Sequence, residues 1–561
     1  MKELLNIKSL HTKIIFLFSG IVMTILLHTG GIKSLIAGVL FSFLIWCFLL
    51  FRYKILEKIL DKISKKLIIA SIVFSIVSVC YWWFSSRYYR HFNDLDNFIM
   101  EKARYYIEIP LLFGKILSIL IKIGVIAFVP MAFFVVCLFY YFFLGFLYKL
   151  GYHLVTTLEK IEKRYIVITS TIIAILIVVI FSISTIFYGP TINGNKISND
   201  VVYTLDSPAL IDTNVYANIA APENDIRQPL FGVFALPFGI TSLIFSKLLF
   251  FLPDSYAMII TIVQSILLQI CIILLGRIIG LRGIKSIAFY LLMMFSYPCL
   301  LFSLAPEQYI FSILWLILLL YLYHIKFYDN IESGYTILYI AATGSLLTTG
   351  ILFPYISNRK GWELIKVIGI TGIIFIFTLV IFGQTDVLWH SISSIKNLMR
   401  FAGGAISFGN RLLQYCNFVS LCFVKSPVYF DNTNGYVTYQ LAPITALNSL
   451  GLVLLVFVMV SFILNRNNKF ARVCIFWIAY SFIILCIIGW GTMENGLILY
   501  TLYFGWAFVC LIFMGIERIM NRLPIIKYFI YVCFVLFLVC VNIPAIYDII
   551  RFGIMYYPVT R

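Results

Sequence analysis

The stretch SYAMIITIVQSILLQICIILLGRIIGLRGIK, residues 255–285, decides the fold. No charged residue stands between Ser255 and Gly276, and then Arg277, Arg282 and Lys285 follow in quick succession. An uncharged apolar run of about 20 residues matches the thickness of a bilayer's hydrocarbon core. Basic residues just beyond such a run mark a short cytoplasmic connection. The segment therefore reads as a membrane helix over 255–277, a basic turn, and a second helix over 286–304.

The same pattern runs along the whole chain. Apolar runs predict helices near 14–29, 33–51, 67–86, 120–148 and 165–187. They continue at 255–277, 286–304, 309–325, a broken stretch at 334–356, 367–384, 449–465, 472–490, 496–516 and 525–545. Of 561 residues, 62% are hydrophobic and only 12% charged, with a mean hydropathy of +1.01. Soluble domains carry about 25% charge, so lipid is the solvent for most of this surface. The expected fold class is an all-α polytopic membrane protein with about 13–15 transmembrane helices. The first apolar run has no small-residue cleavage pattern and reads as a helix, not a removable signal.

The net charge of +18 does not point to nucleic acid, because the lysines and arginines sit in short segments between apolar runs. Basic clusters at 52–66, 149–164, 277–285, 359–366, 466–472 and 518–527 are expected to be cytoplasmic, along with the N-terminus. That leaves 188–254 and 385–448 as two long outer-face loops of a cell-membrane protein. Parity then requires 334–356 to be a re-entrant pair or two thin spans. Residues 229–250 read as a helix lying on the outer surface, so that 255–277 runs inward. Twelve cysteines are present, ten of them inside apolar runs where they act as small hydrophobes. Cys416 and Cys422 fall in an outer loop, where a disulfide between them is open. The domain division expected is 1–164 as accessory membrane helices, 165–545 as the core with its outer loops, and 546–561 as a tail.

Acid is concentrated in the first outer loop. Asp200, Asp206, Asp212, Glu223, Asp225 and Asp254 make six of the chain's 24 acids in about an eighth of its length. Exposure at the outer face accounts for part of this. The rest points to a carboxylate that works as a base or ligand beside a membrane cavity. In DTNVYANIA, residues 212–220, helical spacing puts Asp212, Tyr216, Ile219 and Ala220 on one face, with Asp212 at the helix start. Glu223 and Asp225 read as turn acids.

An acid after a membrane helix, a Tyr four residues on, and then RQPLF at 227–231 form a pattern. It resembles the first outer loop of the GT-C superfamily of membrane glycosyltransferases, notably the protein mannosyltransferase and aminoarabinose transferase group. The run 274–323 is similar to that superfamily's helix, basic turn, helix, Pro, acid, helix order. YIAATGSLLTTGILFPYI at 339–356 is similar to the Gly-rich stretch that follows it. The resemblance covers roughly 165–384. Two departures stand out: Thr213 follows Asp212 where the family commonly has a second acid, and Gln228 stands where His or Pro is usual.

The resemblance implies a GT-C-like core and transfer of a sugar from a polyprenyl-phosphate donor to a glycan, lipid or protein acceptor at the outer face. It implies Asp212 as the carboxylate that deprotonates or orients the acceptor hydroxyl, with Asp206 as the second choice. Tyr216, Gln228 and Glu307 would line the substrate cavity. Arg227, Lys247, Arg400 and Arg411 are the outer cations available to a lipid phosphate, arginine through its bidentate fork. No metal-ligand spacing is present, though acidic loops leave a divalent ion open. There is no phosphate-binding GxxxxGK[ST], HExxH or GxSxG. Two other readings belong to different classes: a flippase or transporter for a lipid-linked sugar, which needs mid-helix polar groups such as Gln264 and Gln269, and a polysaccharide polymerase or ligase acting through the loop 385–448.

Overall fold

A computed structural model of the chain describes residues 136, 139–192, 195–197, 201–219, 221, 225–252, 254–325, 332–352, 361–382, 384, 402, 406–432, 435–491 and 497–559. The helices expected before residue 120, and Arg400, lie outside these residues.

The chain divides into two compact units. Within Met1–Leu158, Asn218–Ala220 and Ile376–Leu388, a helix over 139–157 sets Phe139 and Tyr140 edge-on to Phe382, at 5.1 and 5.9 Å between ring centroids. The larger unit, Glu159–Ala217, Ala221–Phe375 and Trp389–Arg561, holds the features described below.

Its helices in order are α1 Lys160–Ile183, α2 Ser207–Asp212, α3 Phe231–Leu248, α4 Ser255–Ile279, α5 Ile284–Met294, α6 Tyr297–Leu304, α7 Gln308–His324 and α8 Glu332–Ser345. After a 3-10 turn at Leu347–Leu352 come α9 Gly361–Ile381, α10 Phe408–Leu421, α11 Ser449–Asn465 and α12 Lys469–Phe482, which ends in a π-helical turn, Ile483–Ile488. The last two are α13 Leu497–Ile519 and α14 Pro524–Tyr556. Among the described residues α1, α3, α4, α12 with its π turn, α13 and α14 are each long and apolar enough to cross a membrane. The pair α5–α6, bent by 67°, makes a seventh crossing if it is one span. The chain is thus a multi-pass, mainly helical membrane protein, with two short antiparallel β ladders outside the helices among the described residues.

Helix α4 is the central post and packs on α7, α1, α3, α5 and α6. At its C-terminal end Arg277 reaches back to Glu162 of α1, with Nε–Oε1 2.8 Å and Nη2–Oε2 2.5 Å. Tyr290 donates to the same carboxylate, and Arg277 Nη1 donates to Tyr321. Nearby in the same end of the bundle, Glu517 takes Lys285, Lys527 and Tyr531 at 3.2, 3.1 and 2.9 Å. The basic turns at 277–285 and 518–527 therefore meet at one end of the unit, paired with two buried or half-buried glutamates. A buried charge needs such a partner.

The bend between α5 and α6 has an identifiable cause. Pro298 has no N–H and its ring conflicts with a helical carbonyl four residues back. Helix α5 stops at Met294 and Ser296 turns extended before α6 begins. Two of the backbone groups at the bend, the Phe295 carbonyl and the Tyr297 N–H, are satisfied from other elements. Asn542 of α14 donates from Nδ2 to the carbonyls of Phe295 at 2.8 Å and Phe423 at 2.7 Å. Its Oδ1 accepts the N–H of Lys425 at 3.0 Å, while Tyr297 N–H donates to Phe423 at 3.0 Å. Broken helices persist at membrane depth only where the protein re-satisfies the backbone in this way.

One sequence expectation is corrected here and one open question is answered. The helix expected to lie on the outer surface over 229–250 packs instead on α4 and α8, with the first half of α3 buried except for the partly exposed Phe238. Its only charge, Lys247, is in the last turn, so nothing keeps the rest of the helix out of the apolar bundle. Cys416 and Cys422 are both free and buried. The 334–356 stretch does break as expected, at Leu346 between α8 and the 3-10 turn, and residues 353–360 lie outside the described ones.

Candidate functional site

The first long loop runs from the end of α1 into the bundle. It is anchored first at Tyr203, whose N–H donates to the Tyr439 carbonyl at 2.7 Å while Tyr439 N–H donates to Val201 at 2.7 Å. Tyr439 belongs to a hairpin in which β1, Val428–Asp431, pairs antiparallel with β2, Thr438–Leu441. Tyr203 adopts a left-handed φ of 51°, is buried, and shares a hydroxyl–hydroxyl hydrogen bond with Tyr297. A bulky residue held in that region stores about 1–3 kcal/mol and needs surroundings that over-determine it. Those surroundings fix the chain three residues before Asp206.

Asp206 occupies the position that would cap α2, yet its carboxylate makes no capping bond. It acts instead on Tyr216, Arg227, Tyr309 and Tyr500. Helix α2 ends at Asp212, and the left-handed Asn214 (φ 52°) prevents its continuation. Asp212 is therefore an exposed helix end, not a helix start, and it shares no helical face with Tyr216.

Tyr216 is fully buried against Phe231 and Phe311, at 5.7 and 5.3 Å, and its hydroxyl has no hydrogen-bond partner. Burial first, then Glu307, Tyr256 and Asp206, push its phenol well above the usual range, so it stays neutral and can donate. Gly239 of α3 lets the helix come down on the Tyr216 backbone: a Cβ there would stand 2.2 Å from the Tyr216 carbonyl oxygen. Gly239→Ala is expected to displace α3 or the loop, since backbone cannot yield as a side chain does. The cost expected is about 1–3 kcal/mol or more, read as a lower melting temperature in detergent together with lost function.

The segment Arg227–Leu230 is held like a short strand against the Gly-rich stretch. Leu230 N–H donates to Gly344 and Leu347 N–H donates to Arg227, both at 2.8 Å. Gly344 has no room for a Cβ, which would meet Leu230 at 2.7 Å. Asp225 takes the backbone N–H of Arg227 at 2.7 Å and its Nε at 2.8 Å. This aims the guanidinium and leaves both Nη groups without a bonded partner among the described residues. Burial lowers the affinity of Arg227 for its proton, but Asp225 foremost, with Tyr309, Tyr500 and Asp206, outweighs it and raises the pKa. The arginine is half-buried and cationic.

Glu307 begins α7 and is buried. Its N–H donates to Gln264 Oε1 at 3.0 Å, and Gln264 Nε2 donates to Phe302 at 3.1 Å and Ala305 at 2.5 Å. Next along α7, Tyr309 packs edge-on to Tyr500 at 6.0 Å, and Tyr500 accepts from Trp490 Nε1. Arg227, Asp206 and Glu307 thus face a wall of tyrosines inside an otherwise apolar bundle.

Of the residues singled out in the sequence, Asp206, Tyr216, Arg227, Gln228 and Glu307 come together. Asp212 does not join them. Lys247 is exposed in the last turn of α3, and Arg411 is spent on the Ile487 carbonyl at 2.6 Å. Tyr256, Tyr309, Tyr500 and Trp490 were missed. Tyr309 lies two residues from Glu307 and was within reach of sequence reasoning, whereas Tyr500 and Trp490 arrive from the far end of the chain. No group of three or more His, Cys, Asp or Glu suited to a metal occurs among the described residues.

No protein-family model matches the chain, and no curated protein or solved structure is significantly similar to it.

Proposed function

We propose that the chain is a membrane glycosyltransferase that moves a sugar from a polyprenyl-phosphate donor to a cell-envelope acceptor (lipid, polymer or protein) at the outer face of the membrane. The observation that carries this reading is that the Asp206 carboxylate is near enough to act electrostatically on the Arg227 guanidinium and on Tyr216, Tyr309 and Tyr500 within an otherwise apolar bundle. Asp206 accepts the proton of an acceptor hydroxyl as its oxygen attacks the sugar C1. The C1–O bond to phosphate breaks, and the polyprenyl phosphate leaves with its negative charge on Arg227. A positioned base contributes about 10²–10⁴-fold to such a step. The tyrosines add neutral hydrogen-bond donors, and the surrounding apolar helices suit a lipid-borne substrate.

Gln264 and Gln269, the mid-helix polar residues that a transport path would use, are spent on structure. Gln264 clamps the loop before α7, and Gln269 accepts from Tyr165 at 2.5 Å and donates to Met294 Sδ at 3.1 Å. This favours transfer over transport.

The test is the purified protein in nanodiscs and in liposomes with a labelled polyprenyl-phosphate sugar and envelope glycolipid. Covalent transfer of label to the acceptor is expected. Counter-flow of the donor across liposomes without product would overturn the reading in favour of a transporter. Arg227→Gln is expected to raise the KM for the donor about tenfold to a hundredfold, as removal of a charged hydrogen bond worth about 1.5–3 kcal/mol predicts. Arg227→Lys should recover part of it, because lysine keeps the charge and loses the fork.

A further inference from the structure

Two basic connections meet at the end of the bundle where α4 and α13 finish. The α4–α5 connection and the first turn of α5 carry Arg282 and Lys285. The end of α13 and the start of α14 carry Arg518, Arg522 and Lys527. Helix α5 packs on both α13 and α14, which brings the two connections together. Across residues 280–285 and 517–527 the sequence places five bases and a single acid, Glu517.

That one carboxylate is shared. Its Oε2 takes Lys285 Nζ at 3.2 Å and Lys527 Nζ at 3.1 Å, while Oε1 accepts from Tyr531 at 2.9 Å. A single negative charge cannot balance two ammonium groups, and Lys527 is buried, where an excess of charge is costly. Arg282, Arg518 and Arg522 stand exposed in the same connections. Helix α14 begins at Pro524 with no side-chain cap, so the positive end of its dipole adds to the excess. Among these bases in the sequence, Ile284, Ile525 and Phe529 are 68, 84 and 67% exposed.

Excess positive charge beside bare apolar side chains, at the ends of membrane-crossing helices, matches a lipid with an anionic headgroup. We infer that the junction of α5, α13 and α14 binds the phosphate of an anionic phospholipid, with its acyl chains against Ile284, Ile525 and Phe529. Lys285 and the exposed arginines take the phosphate oxygens, the arginines through their forks. Lys527, held beneath by Glu517, supplies charge. The bound lipid ties the starts of α5 and α14 to the end of α13, and it stabilises the bundle whatever substrate the chain handles.

The test places the purified full chain in nanodiscs of phosphatidylcholine, with and without phosphatidylglycerol. Melting temperature is followed, and native mass spectrometry counts the lipid retained. A higher melting temperature with phosphatidylglycerol is expected, along with retained phosphatidylglycerol. Arg282→Gln, Lys285→Gln and Arg522→Gln should each weaken its binding about fivefold. The two arginines are exposed, and Lys285→Gln leaves Lys527 on Glu517, so all three variants should fold. The double change Lys469→Gln, Arg472→Gln, in a different basic connection, should leave binding as it is. An equal loss in that double variant would overturn the inference in favour of general attraction to basic connections. So would an absence of stabilisation by phosphatidylglycerol, or an equal rise with inorganic phosphate in phosphatidylcholine discs.

Discussion

Asp206→Asn is expected to abolish sugar transfer, by about 10²–10⁴-fold in kcat, while Asp212→Asn keeps most of it. The asparagine has the size and shape of the aspartate and leaves intact the Tyr203–Tyr439 and Leu210–Asp206 backbone bonds that hold the loop. Expression and melting temperature should therefore stay near those of the parent. The proton acceptor is lost, and with it one of the negative groups around Arg227. Asp212 ends α2 at an exposed position, six residues further along the loop. The measurement is initial-rate transfer from a saturating polyprenyl-phosphate donor by both variants. A fully active Asp206→Asn, or an inactive but well-folded Asp212→Asn, would refute the assignment of the base.

Helical spacing places Asp212 at a helix start on one face with Tyr216, and the reason the structure differs is local. Spacing arguments assume that the helix continues, but Asn214 at φ 52° ends it and sends Tyr216 inward by another route. Helix α3 departs for the opposite reason. Its apolar length was plain, but whether such a helix lies flat or enters the bundle depends on partners elsewhere, here α4 and α8. The crossings α4 and α13 and the shorter apolar helices α7 and α11 are legible within a few residues because apolar length and flanking charge are properties of a single segment.

In the site the same division holds. Arg227, Gln228 and Glu307 drew attention as rare polar residues in a lipid-soluble chain. Nothing local marks Tyr500 or Trp490, since their meaning comes from α13 running past the start of α7. Nor could sequence show that Gln264, which reads as a transport residue, is the clamp that holds Glu307 in place.

Asn542→Leu is expected to be the most damaging single change outside the site. Leucine has similar volume, so no cavity opens, but three bonds disappear together. The Phe295 carbonyl and the Lys425 N–H then have no partner in a region where water does not replace them, and the Phe423 carbonyl keeps only Tyr297. At about 1–3 kcal/mol for each orphaned group, offset where interhelical bonds in membranes prove worth nearer 0.6–2 kcal/mol, the net loss is about 2–4 kcal/mol. That is a large fraction of the stability of an ordinary protein. Asn542 also ties α14 to the α5–α6 bend and to the chain at Phe423–Lys425, so the damage reaches the site: α6 leads directly to Glu307, and Tyr297 holds Tyr203. The variant should melt lower in detergent and lose transfer in proportion, whereas Asn542→Gln, which keeps the amide on a longer arm, recovers part of both. Equal stability of the leucine variant would mean that the bend is held by packing alone and that its backbone bonds contribute little.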